Sequence, residues 1–148
     1  MVFSLGDWHK LYLDKLEKLF LERSDLREKY EIENSNRRRL YLPCWEGIKR
    51  REILSNPDIL LVNKEDGTFD YIFEVEYNIN YKKLVGIALL TDMAVGKMRI
   101  KKRKPKLILI TRKKFPYYEF IRREVEDYVR NIECELFTAD TFDISVIR

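Results

Sequence analysis

The chain has 148 residues, 45% hydrophobic and 13% aromatic, the length of one ordinary domain and enough to bury a sizeable core. Charged residues reach 36%, against about 25% in a typical globular chain, yet the net charge is only +4, so local clusters matter more than the total. No apolar run approaches the ~20 residues of a membrane span, and no secretory leader opens the chain, which points to a soluble protein of the cytoplasm.

Ser4 can cap a first helix, with Asp7 three residues on. Trp8, Tyr12, Leu16, Leu19, Phe20 and Leu26 then recur at three and four residues, which predicts a helix from about Leu5 to about Tyr30. That stripe leaves His9, the only histidine, on the surface side, so a Ser-His or Cys-His catalytic apparatus is not expected. Cys44 and Cys134 lie far apart with no CxxC pair, supply no four-ligand zinc site, and read as free thiols. Residues 33 to 39 are polar and end in Arg37, Arg38 and Arg39, a loop with a basic edge. Leu40 to Leu42 could start a strand before Pro43 interrupts it. Ile48 to Leu54, which carries Lys49, Arg50 and Arg51, reads as a strand or an extended segment.

A hairpin follows. Ile59 to Val62 is a short apolar run suited to a central strand, Asp66-Gly67 supplies a turn, and alternation begins at Tyr71. Tyr71, Phe73, Val75 and Tyr77 point one way; Ile72, Glu74 and Glu76 point the other. Tyr81 to about Val95 predicts an apolar helix packed on a sheet, stopped at Gly96. Leu107 to Thr111 reads as a buried strand. Pro116 opens a further helix with Phe120, Ile121, Val125, Tyr128 and Val129 on its apolar face. Ile132 to Thr138 forms a last strand, and the tail from Ala139 adds an edge strand or a short turn. No linker, repeat or low-complexity segment interrupts this order, so residues 1–148 are expected to form one α/β domain. Its central mixed β-sheet is flanked by helices, antiparallel at the hairpin and parallel across the later crossovers.

Three carboxylates, Asp58, Glu74 and Glu76, stand in or beside runs that should be buried. A turn centred on Asp66 makes Asp58 face Glu74 and Leu60 face Ile72, with Glu76 diagonal on the same side. Two carboxylates about 4 Å apart repel by roughly 4 kcal/mol at an effective dielectric of 20. A shared proton, a neighbouring base or a hard divalent cation relieves that repulsion. A Mg²⁺ or Mn²⁺ ion there would also lower the pKa of a bound water, the nucleophile that a phosphodiester requires. The plainer alternative makes Asp58 a turn acid after Pro57, with Glu74 and Glu76 facing solvent.

Pro57-Asp58, then Glu74-Val75-Glu76 after an Asp-Gly hairpin, resembles the motif of the PD-(D/E)xK nuclease superfamily, whose fold is restriction-endonuclease-like. The downstream order of helix, strand, helix and strand is similar as well, over about residues 5 to 138. The resemblance implies a magnesium- or manganese-dependent endonuclease, a hydrolase of DNA, with Asp58 and Glu74 as metal ligands. Glu76 stands where the family usually has its catalytic lysine; some restriction enzymes of this fold carry Glu there, so Glu76 would bind metal or orient water. Lys82 or Lys83, from the following helix, would replace the lysine, and Glu22, Glu28 or Glu31 would supply an additional acid. Lys97, Arg99, Lys101, Lys102, Arg103, Lys104 and Lys106 precede one strand, and Arg112, Lys113 and Lys114 follow it. Such clusters neutralise backbone phosphates without reading sequence, so they are the expected DNA-binding surface. The alternatives are a nucleic-acid-binding module that has lost catalysis and an assembly subunit; pairing into a homodimer is compatible with all three.

Overall fold

The computed structural model of the chain describes residues 5–42, 56–98, 103–113 and 117–147. They form an α/β arrangement on a five-stranded mixed sheet in the order β1-β2-β3-β4-β5. The strands are β1 (Tyr30–Asn34), β2 (Ile59–Asn63), β3 (Phe69–Glu76), β4 (Lys106–Thr111) and β5 (Glu133–Thr138). β1, β2 and β3 pair antiparallel, whereas β3, β4 and β5 pair parallel. The parallel half follows from the two crossover helices, α3 (Tyr81–Gly96) and α4 (Tyr118–Tyr128). No described helix is long and apolar enough to cross a membrane.

Alternation along the strands divides the core into two layers. Ile59, Leu61, Phe73, Val75, Ile108 and Ile110 face α1 (Leu5–Glu22) and α2 (Ser24–Lys29). Leu60, Ile72, Leu107, Leu109 and Leu136 face α3 and α4. Leu40 and Leu42 are buried on that second side without forming a strand. Cys134 is a free thiol there, pushed up to about 12 chiefly by burial, and is no nucleophile at neutral pH. Cys44, the expected segment from Ile48 to Leu54, and Pro116 lie outside the described residues.

The expected first helix, about Leu5 to Tyr30, is three elements. α1 stops at Glu22, Arg23 is extended (φ −95, ψ 110), α2 takes one and a half turns, and Tyr30 opens β1. Arg23 has a reason to leave the helix: Nη1 donates to the carbonyls of Ile144 (3.2 Å) and Ile147 (3.3 Å), tying down the C-terminal 3₁₀ turn. The tail therefore forms a turn, Ile144–Val146, rather than an edge strand. The hairpin loop spans Lys64 to Thr68, with Gly67 at φ +73, a conformation open to glycine at no steric cost. Leu60 faces Ile72 as expected, and a bulge separates Leu61 from Val62.

On the other side, Asn80 caps α3 by accepting from the Lys83 N–H at 2.9 Å. Asp92, buried in α3, accepts from the N–H groups of Arg130 (3.0 Å) and Asn131 (2.6 Å) and so fixes the turn between α4 and β5. Phe120 and Tyr128, expected on the apolar face of α4, point outward; Tyr118 and Val125 are the residues it buries.

Two glycines of α3 differ in surroundings, which generates a prediction. A Cβ on Gly86 would meet nothing within 4 Å, whereas one on Gly96 would lie 2.7 Å from Asn131 Nδ2. Gly86→Ala should raise stability by about 0.5–1 kcal/mol. Gly96→Ala should lower it by about 1 kcal/mol, because Asn131 must give up its hydrogen bond to the Asp92 carbonyl. Urea denaturation of both variants decides; shifts of the same sign would contradict this difference between the two glycines.

Candidate active site

β3 carries the acids to one end of the sheet. Its last residues, Glu74 to Glu76, run beside Leu109 to Thr111 of β4, and Asp58 precedes β2 at the same end. Glu74 follows Ile72 onto the α3 side and is only 7% exposed. A carboxylate buried this deeply is held well above its usual range, first by desolvation, then by the charges of Asp58 and Glu76, with Lys83 opposing. Asp58 and Glu76 thus both act on Glu74, in keeping with the proximity that the hairpin register implied.

Asp58 departs from that register in one respect. Its N–H donates to the Phe73 carbonyl at 2.9 Å rather than continuing the ladder, and its own carbonyl accepts from Ser35 N–H, also at 2.9 Å. The slip turns its side chain onto the end of the sheet. Oδ2 accepts from the Val75 N–H at 2.7 Å, and Oδ1 lies 3.2 Å from His9 Nε2. Glu76 sits between the layers: Lys83 Nζ is 2.8 Å from its Oε2, and its charge also acts on His9.

His9 is therefore part of the site, contrary to the surface position expected for it. The buried stripe of α1 is Leu13, Leu16 and Phe20, and three- and four-residue steps extend it back to His9 rather than to Trp8. The imidazole is held above its ordinary value by its hydrogen bond to Asp58, against desolvation and with help from Asp58, Glu76 and the Val75 backbone. A raised histidine stabilises the fold most below about pH 6.5, and that contribution disappears as pH rises through the folded value. Lys83, not Lys82, is the lysine of α3 that reaches the acids; Lys82 is exposed. Glu22 ends α1 about 20 Å along the helix axis from His9, and Glu31 pairs with Val62 toward the other end of β2. Glu28 lies near that end too, beside Asn63 to Glu65. None of these three joins the site.

The basic residues divide in the same way. Arg112 and Lys113 follow β4 directly at the acidic end. The Arg112 guanidinium lies 4.0 Å from the centre of the Tyr77 ring, its buried Nε makes no hydrogen bond among the described residues, and Trp8 meets Tyr77 edge-on. Lys97, Arg103, Lys104 and Lys106 belong to the opposite end, about 20 Å away along β4. There Arg103 is engaged by Asp66, Asp70 and Thr68, and Lys106 by Glu133 and Glu135, which leaves less unpaired positive charge than the sequence suggests. Arg37 and Arg38, at the acidic end, pair with Glu17 and Glu33. Arg99, Lys101, Lys102, Lys114 and the Lys49 to Arg51 cluster lie outside the described residues.

In kind, the oxygen donors of Asp58, Glu74 and Glu76 suit a hard divalent cation. Among the described residues, no three His, Cys, Asp or Glu side chains are already placed around one point to hold such an ion. Among known proteins, no family model, no curated sequence and no solved structure matches the chain.

Two expectations follow from this geometry. Glu74→Gln should be more stable than the parent at pH 8, and its advantage should shrink toward pH 4. The reason is that a raised carboxylate costs stability as pH climbs from about 4.3 through its folded value. Guanidinium denaturation at both values tests the sign; an advantage independent of pH would dissociate Glu74 from the penalty. The single imidazole signal in an NMR titration should have its midpoint above 6.5 and fall in Asp58→Asn. A midpoint at or below 6.5 in the parent would rule out the His9–Asp58 pair.

Proposed function

We propose that this chain is a metal-dependent nuclease that hydrolyses phosphodiester bonds of DNA on a restriction-endonuclease-like fold. The observation that carries the reading is the buried carboxyl of Glu74, repelled by the half-buried Asp58 and Glu76 beside Lys83, at the carboxyl end of β3. Open α/β sheets bind their ligands outside the carboxyl ends of strands. The sequence resemblance to Pro-Asp…Glu-x-Glu supports the same residues, and the element order supports the same fold.

Asp58, Glu74 and Glu76 would hold a Mg²⁺ or Mn²⁺ ion, which supplies a water of lowered pKa and charge for the phosphate. The chain's own residues do the rest. The Val75 N–H and His9 orient Asp58, and the α3 layer keeps water from Glu74, whose carboxyl must be ionised to serve as a ligand. Lys83 takes the position of the absent motif lysine by way of α3, where it balances Glu76 and stands ready for the scissile phosphate. Arg112 and Lys113 attract the backbone at the same end of the sheet.

A second reading has its own observation. His9 with Val75 satisfies Asp58, and Lys83 satisfies Glu76, so the site can rest without a cation, as in a DNA-binding module that does not cut. Plasmid and single-stranded DNA incubated with Mg²⁺, Mn²⁺ or EDTA separate the two. The nuclease should cleave only with metal, and Asp58→Ala and Glu74→Gln should each lose on the order of a hundredfold or more. Salt-dependent binding with no cleavage in either metal would establish the module instead.

A further inference from the structure

We propose that the outward side of α3 and α4 is a homodimer interface at which two copies of this chain pair about a twofold axis. Ten large hydrophobic residues are exposed among the described residues, and beyond Tyr81 at the start of α3 six of them, Leu89, Leu90, Met93, Tyr117, Phe120 and Tyr128, belong to this one layer. They are between 39% and 81% exposed. At roughly 200 Å² per large side chain, they leave on the order of 700 Å² of apolar surface. That is more than the few hundred Å² usual for a monomer, and close to the ~800 Å² that each partner brings to a standard interface.

Gly86 is the second observation. It lies one turn before Leu90 and two before Met93, on the outward line of α3, and nothing among the described residues comes within 4 Å of its Cβ position. A glycine in mid-helix weakens the helix, and no contact among the described residues asks for one here. A notch that admits a bulky side chain of a facing helix does.

Charge selects the occupant and the orientation. Beyond Lys83, which Glu76 engages, α3 carries Lys82 and Lys97 exposed and no exposed acid, because Asp92 is buried. α4 carries Glu119, Glu124, Glu126 and Asp127 against Arg122 and Arg123. Both helices run back from the carboxyl ends of parallel strands, so they lie side by side in the same direction. A twofold axis along the groove between them sets the basic α3 of each copy over the acidic α4 of its partner, a self-complementary contact. An axis across the helices would set α3 on α3, lysine on lysine.

Sedimentation equilibrium of the full chain tests this. The parent should be dimeric at on the order of 50 µM, and Leu90→Glu with Met93→Glu should be monomeric with unchanged far-ultraviolet circular dichroism. Gly86→Gln, whose Cβ meets nothing within 4 Å among the described residues, should weaken association by about tenfold or more. Lys82→Glu with Lys97→Glu, and separately Glu126→Lys with Asp127→Lys, should each dissociate, and a mixture of the two should form the heterodimer. A monomeric parent overturns the proposal and leaves the face to another protein or to the rest of the chain. A dimer that survives Leu90→Glu with Met93→Glu places the interface elsewhere, and failure of the mixture to pair removes the α3-over-α4 arrangement.

Discussion

The burial of Glu74 is the constraint on which the rest of the site depends. β3 is the central strand, paired on both edges and packed on both faces, and its sixth residue is a carboxylate with almost no access to water. An ionised group in that place is expensive unless a partner compensates it. Among the described residues the surroundings add two further acids and only one lysine, so the arrangement favours a proton or a cation at Glu74 over an isolated negative charge. A chain selected for stability alone would place an apolar residue there, as it does at Ile72 and Leu109 on the same face.

Four elements converge to build the surroundings. The slip of Asp58 out of the β2 ladder brings one carboxylate onto the end of β3, and the Val75 N–H holds it there. The first turns of α1 bring His9 from one face, and the first turn of α3, fixed by the Asn80 cap, brings Lys83 from the other. Glu76 stands between them, at the strand end where both layers meet. His9 and Lys83 partner the outer acids, while Glu74 has no such partner of its own among the described residues.

Much of this was legible in the residues because strand alternation and turn chemistry are local. Ile72, Glu74 and Glu76 could be assigned to one face, and Leu60 to Ile72, from the period of two and the Asp-Gly turn alone. The breaks came where a distant contact decided. Arg23 leaves the helical path for carbonyls more than a hundred residues on, and Leu26 to Tyr30, a helical step in sequence, hides the start of an edge strand. His9 was misplaced because two stripes one residue apart fit α1 almost equally well. Trp8 and Tyr12 pack at the margin, while His9, Leu13 and Leu16 face inward. The basic clusters at the two ends of one strand were legible too, but only the fold shows that the acids share the end that carries Arg112.

The most direct test of a cation centre at Glu74 is calorimetric titration of Mn²⁺ at neutral pH in two buffers of different ionisation enthalpy. Binding should be saturable, release protons as Glu74 ionises, and disappear in Glu74→Gln. Absence of binding by the parent, or equal binding with no proton release in Glu74→Gln, would contradict the account.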